Sequence, residues 1–157
     1  MGMLEDQLSE LQKVRDNVAR LRNERGEKVA EFEDRINIAE LNLVGLQNRL
    51  QVLAIHDSDN QKSAKALRGA WFGLEMPQGA LDQVADIDKR ATGLAEEIKS
   101  INKRISGLTD LRGDLDAECR LARKAREEAE EQLRQIDKRT AEIQGLNVIG
   151  ARNPQPR

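Results

Sequence analysis

Apolar residues recur along this chain every three or four positions, the period of a helix face rather than of a strand. Leu4, Leu11 and Val18 stand seven apart, with Val14 and Leu21 three residues after a repeat position. A four-residue step at Arg25 then leads to Val29, and the repeat runs on through Phe32, Ile36, Ala39, Leu43, Leu46, Leu50 and Leu53. Such a repeat is the seam of a left-handed coiled coil, and an inserted four-residue step is a stutter that locally unwinds it. The spacing predicts one helix over 3–55, about 80 Å long at a rise of ~1.5 Å per residue.

A second repeat is longer and more regular. Val84, Ala91, Ile98, Ile105, Arg112, Cys119, Arg126, Leu133 and Thr140 fall every seven residues. Ile87, Leu94, Ile101, Leu108, Leu115, Ala122, Ala129, Ile136 and Ile143 hold the companion position. Sustained heptads of this kind predict a coiled-coil helix over 80–144. Gly79 and Asp82 mark its start, and Gly145 followed by Leu146 has the form of a Schellman stop. The tail 145–157, with Pro154 and Pro156, is expected to be extended.

Between the repeats, 56–79 is a tip segment. Asp57, Ser58, Asp59 and Asn60 suit a helix stop and restart, and Ser58 with Gln61 fits a capping box for a short helix over about 60–68. Trp71, Phe72, Leu74 and Met76 follow, with Pro77 behind them. A connection of this length lets the chain reverse, so the expected fold is all-α: one elongated domain over 1–157, an antiparallel coiled-coil hairpin held in an oligomer. Ala117, Ala122, Ala125 and Ala129 would thin the second helix for close approach. A parallel oligomer is the rival, and heptads leave the register open, since a whole-repeat shift conserves the seam.

Composition supports this architecture and removes several functions. Of 157 residues, 34% are charged and 2% aromatic. Leu, Ile, Val and Phe total 38, or 24%, a little above the roughly 20% below which charged chains stay unfolded. The formal charge of −2 comes from well-mixed acids and bases, so there is no global polycation for nucleic acid. No apolar run could span a bilayer and no secretory leader is visible. The single cysteine fits a reducing compartment, hence a cytoplasmic expectation.

Enzyme chemistry has little to stand on. His56 has no second His and no neighbouring Cys, so metal-ligand spacing fails and no cofactor is implied. Cys119 lies on the seam as a small hydrophobe, and carboxylates such as Glu127 and Glu131 belong to solvated faces. Arg120, Arg123 and Lys124 share a face and are the candidate phosphate contacts, although Glu127, Glu128, Glu130 and Glu131 follow directly. Arg25, Arg112 and Arg126 occupy seam positions, where a charge costs stability and fixes register, the alternative being that they bend outward and bury only their stems. Gly45, Gly93 and Gly107 fall on an outward position.

Two features read as docking surfaces. One is the tip, Trp71, Phe72, Leu74 and Met76, residue types that interface hot spots favour, with a plug at the hairpin end as the competing reading. The other is an overhang. A hairpin centred near residue 67 sets Leu4 opposite residue 130, leaving Leu133, Ile136, Ile143, Leu146, Val148 and Ile149 without a partner in their own chain.

The expectation is therefore a non-enzymatic structural or adaptor subunit that self-associates or binds another protein subunit. Arg outnumbers Lys 17 to 9, as in GC-rich genomes, and a phage particle is one such assembly. The alternatives are a regulator that meets nucleic acid or a nucleic-acid enzyme through its basic helical face, and a holdase. In outline the helix–tip–helix plan resembles prefoldin-type chaperones and the stalk subunits of flagellar and type III export ATPases. Residues 56–79 lack the strand alternation of a prefoldin linker, and no motif is shared with either family.

Overall fold

The computed structural model describes residues 2–152, with two helices: α1 over Met3–Ala70 and α2 over Gln78–Arg152. They pack against each other, and there is no strand among the described residues. The connection is seven residues, 71–77, and not the segment of about 24 expected.

The first helix does not stop at 55 and restart at 60. His56-Asp57-Ser58-Asp59-Asn60 is polar but holds neither Gly nor Pro, so nothing in it forces the backbone out of helix. Gln61 Nε2 donates to Asp57 Oδ2 at 3.1 Å, one turn back, which supports the helix across the expected break. The reversal comes where glycine permits it. Gly73 has φ of 72°, the left-handed conformation that side chains resist. Phe72 N–H donates to Gly69 C=O and Leu74 N–H to Trp71 C=O, tightening the turn. Pro77 then heads α2, its carbonyl accepting from the N–H groups of Ala80 and Leu81.

At the far end, α2 runs through Gly145 to Arg152, so Gly145 is not a stop and 145–152 is helical rather than extended. Gly inside a helix costs only ~1 kcal/mol, which surrounding helix-forming residues outweigh. Residues 153–157 of the expected tail lie outside the described residues.

Contacts divide the chain into two compact units, Met1–Arg35 with Leu115–Arg157, and Ile36–Asp114. In the first, Val18 packs with Ala129 and Leu133, and Ala19 and Ile136 lie against them. Val29, Leu115, Cys119 and Ile143 are buried in the same unit. Arg15 Nε meets Asp137 Oδ1 at 2.7 Å, Arg25 reaches Ala125, and Arg123 pairs with Glu33 at 3.0 Å. Partners fall on α2 as they rise on α1, so the helices are antiparallel here. In the second unit, Leu46, Leu53 and Ile101 form the core, with Leu50, Leu94, Ile98, Ile105 and Leu108 packed on it. Glu40–Arg112, Arg49–Glu97 and Asn60–Ile87 descend in the same antiparallel sense.

The N-terminal seam differs from the expected one. Val14 and Leu21 are exposed, whereas Leu4, Leu8, Leu11, Arg15 and Val18 line the inward side. These positions continue through Arg25 to Val29 in unbroken steps of three and four, so no stutter exists. Arg15 and Arg22 hold seam-phase positions that a purely apolar template passes over. Arg112, expected on the seam, is exposed and paired with Glu40 Oε1 at 2.8 Å.

Candidate functional site

The tip separates into two pairs. Trp71 falls in phase with the α1 seam, seven residues after Ala64, and is half-buried, as is Met76. Phe72 and Leu74 point outward at 89% and 65% exposure. The split follows from the turn: the seam side of a helix end faces the other helix, and the residues beside Gly73 face away. Of the four expected tip residues, two therefore combine features of plug and surface, and two are wholly displayed. Phe72 also closes one end of a shallow groove along α1 with Gln61, Ala64, Lys65, Arg68 and Gly69.

The basic face is partly spoken for. Arg120, Arg123 and Lys124 are all exposed, but Arg123 Nη2 donates to Glu33 Oε1 at 3.0 Å. That hydrogen bond, with the nearby Cys119, Glu33 and Asp116, raises the Arg123 pKa above its ordinary value. The guanidinium is thus turned toward an acid of α1, leaving Arg120 and Lys124 as the outward cations of the three.

The expected overhang does not form. Leu133 packs against Val18 and Ala129, Ile136 lies on that cluster, and Ile143 is 2% exposed. Its neighbours include Met3, Leu11, Val14 and Arg139, which line a groove with it. The cause is the position of the turn. Because α1 extends to Ala70, the reversal is centred near residue 74 rather than 67, and residues 133–143 meet the start of α1. Leu146 is exposed at 56%, and the side chains of Val148 and Ile149 lie outside the described residues.

His56 is exposed in mid-helix, not at a helix end, and borders a groove with Asp59, Asn60, Ser63, Arg90, Gly93 and Glu97. Within it Asn60 is buried, its Nδ2 donating to the Ile87 carbonyl at 3.0 Å. Asn60 is a seam residue that the apolar pattern passed over, and its spacing of seven from Leu53 was the available signal. Cys119 is buried and unbonded to any second cysteine. No group of three or more His, Cys, Asp or Glu side chains fit to hold a metal occurs among the described residues. Nor is any described helix long and apolar enough to cross a membrane.

Comparisons with family models, with curated proteins and with solved structures each return no match.

Proposed function

We propose that this chain is a non-enzymatic structural or adaptor subunit of a larger assembly, which uses paired helices as a scaffold and its turn as a docking point. The observation that carries the reading is the outward display of Phe72 and Leu74 at the turn between the two helices. Large apolar side chains on a rigid, preformed turn lose little conformational freedom on binding, which favours a protein partner. A photo-crosslinking amino acid at position 72, in the cells that make the protein, tests it. A single adduct that disappears with Leu74→Ser supports the docking point, and the absence of any adduct removes it.

A second reading rests on Arg120 and Lys124, which remain outward, and makes the chain a regulator that touches phosphates. Binding of that kind weakens steeply with salt, so a gel-shift repeated across salt concentrations separates the two readings.

A further inference from the structure

Ordinary heptads leave the outer face of a helix charged, and most of α1 obeys. Between residues 16 and 35, 11 of 20 side chains are Asp, Glu, Lys or Arg, but between 36 and 55 only Glu40 and Arg49 are. Both are drawn to α2: Arg112 Nη2 meets Glu40 at 2.8 Å, and Arg49 Nη2 meets Glu97 at 2.8 Å. What remains on the outside is a stripe, Ile38, Leu41, Gly45, Asn48, Val52 and Ile55, stepping by three and four residues. Ile38, Leu41 and Ile55 are 58%, 72% and 60% exposed, and Val44 and Val52 beside or within the stripe are exposed too. The residues buried against α2, Ala39, Leu43, Leu46 and Leu53, form a separate stripe on the same stretch of helix. This part of α1 thus has two seams, one filled by its own chain and one open.

We infer that the open stripe is a self-association surface, joining α1 of one copy to α1 of a second copy in antiparallel sense. The inference rests on the reading of the chain as an assembly subunit and supplies one of its contacts. The stripe is complementary to its own reverse. A two-fold axis level with Leu46 and Gln47 sets Ile38 of one copy opposite Ile55 of the other, Leu41 opposite Val52, and Gly45 opposite Asn48. The two central layers, related by the axis, each place the larger Asn beside a glycine, which makes room for it and fixes register. The outer side of α2 in the same unit cannot take this role. It presents Asp86, Lys89, Glu96, Lys103, Asp110 and Asp114, and an apolar stripe laid on it would strip water from charges without replacing it. Because both helices are already folded, pairing orders side chains only and needs no new helix.

Light scattering on the full chain tests the surface. The expected mass is twice that of the 17.7 kDa chain. Leu41→Glu should halve it while circular dichroism stays helical, since Leu41 makes no part of the inner seam. Ile55→Glu is the second variant should the first misfold. A wild-type monomer, or folded variants of undiminished mass, overturns the inference without touching the adduct formed at position 72. The orientation is read by mixing Leu41→Cys with Val52→Cys chains under oxidation. A mixed disulfide dimer is expected in excess over either like pair, and like pairs in excess overturn the antiparallel arrangement.

Discussion

Arg25 Nη1 donates to the main-chain carbonyl oxygen of Ala125 at 2.7 Å, joining the two helices of the first unit through a part-buried polar contact. The next residue, Gly26, leaves room for Arg126, whose Cδ would lie 3.8 Å from a Cβ built there. Two arginines thus enter the seam of this unit beside its apolar side chains. Ala125 C=O already belongs to the helix ladder, so the contact adds direction more than energy, while the Arg25 stem adds packing. Arg25→Met keeps that stem and should change unfolding free energy by no more than about 1 kcal/mol. Arg25→Ala removes it and should cost more. Denaturant melts of the two variants read the difference, and equal losses would show that the hydrogen bond outweighs the stem.

Glycine substitutions should stabilise at two places and destabilise at a third. At Gly26 an added methyl meets Arg126 at ordinary contact distance, and at Gly107 it meets nothing within 4 Å. Both lie inside helices, so Gly26→Ala and Gly107→Ala should each stabilise by about 0.5–1 kcal/mol. Gly73→Ala also meets open space, but its φ of 72° makes the backbone itself unfavourable. That variant should lose roughly 1–2 kcal/mol. Thermal melts of all three compare backbone strain with space directly.

Leu21 and Leu53 test which leucines form the seam. Leu53 is fully buried with Leu46 and Ile101, and Leu53→Ala should cost about 2–5 kcal/mol. Leu21 is exposed, and Leu21→Gln should stay within about 0.5 kcal/mol of wild type. A large loss at Leu21 would restore the stuttered seam.

The regular heptads of α2 were legible because nearly every seam position there is aliphatic, and each half-buried or buried position from Val84 to Leu108 falls where spacing put it. The first helix was harder for a physical reason. Its inner side carries Arg15, Asp57 and Asn60, which hydropathy reads as surface, although Arg15 lies against Asp137 and Asn60 against the Ile87 carbonyl. Polar seam residues hide both the continuity of the helix, which ends at 70 rather than 55, and the place of the turn, whose shift from near 67 to near 74 displaces the register. The tip residues could be named from composition, since aromatics are scarce. Which of them turn outward depended on the φ of Gly73. The outer stripe at 38–55 shows in the sequence as a local loss of charge, but Gly45 and Asn48 interrupt its apolar repeat.

Charge pairing along α2 gives a pH signature. Arg134 donates to Glu131 Oε2 at 2.6 Å, and this hydrogen bond first, then the guanidinium charge, holds the Glu131 carboxyl below its ordinary pKa. A depressed folded-state pKa means that the pair's stabilisation is present above the unfolded value and is lost as pH falls through the folded one. The pair is exposed, so the effect on global stability is small. A carboxyl titration followed by NMR should place the Glu131 midpoint below that of unpaired glutamates, and Arg134→Gln should return it toward them.

Truncation after residue 130 distinguishes the filled register from an overhang. The deletion removes Leu133, Ile136 and Ile143, which pack beside Val18 or border Leu11, and it removes Asp137, the partner of Arg15. Residues 3–17 of α1 would then keep Leu4, Leu8 and Leu11 with no opposite helix. A helical end of about 15 residues with nothing packed on it frays in water, because backbone and side-chain ordering are no longer offset by burial. The truncated chain should therefore lose more helicity than residues 131–157 themselves carry, and amides of 3–17 should exchange with solvent as in an open chain. The second unit keeps its own core of Leu46, Leu53 and Ile101, so its amides should remain protected. Unchanged protection over 3–17 would mean that residues 133–143 contribute nothing to their own chain, and the register drawn from Val18, Ala129 and Leu133 would be wrong.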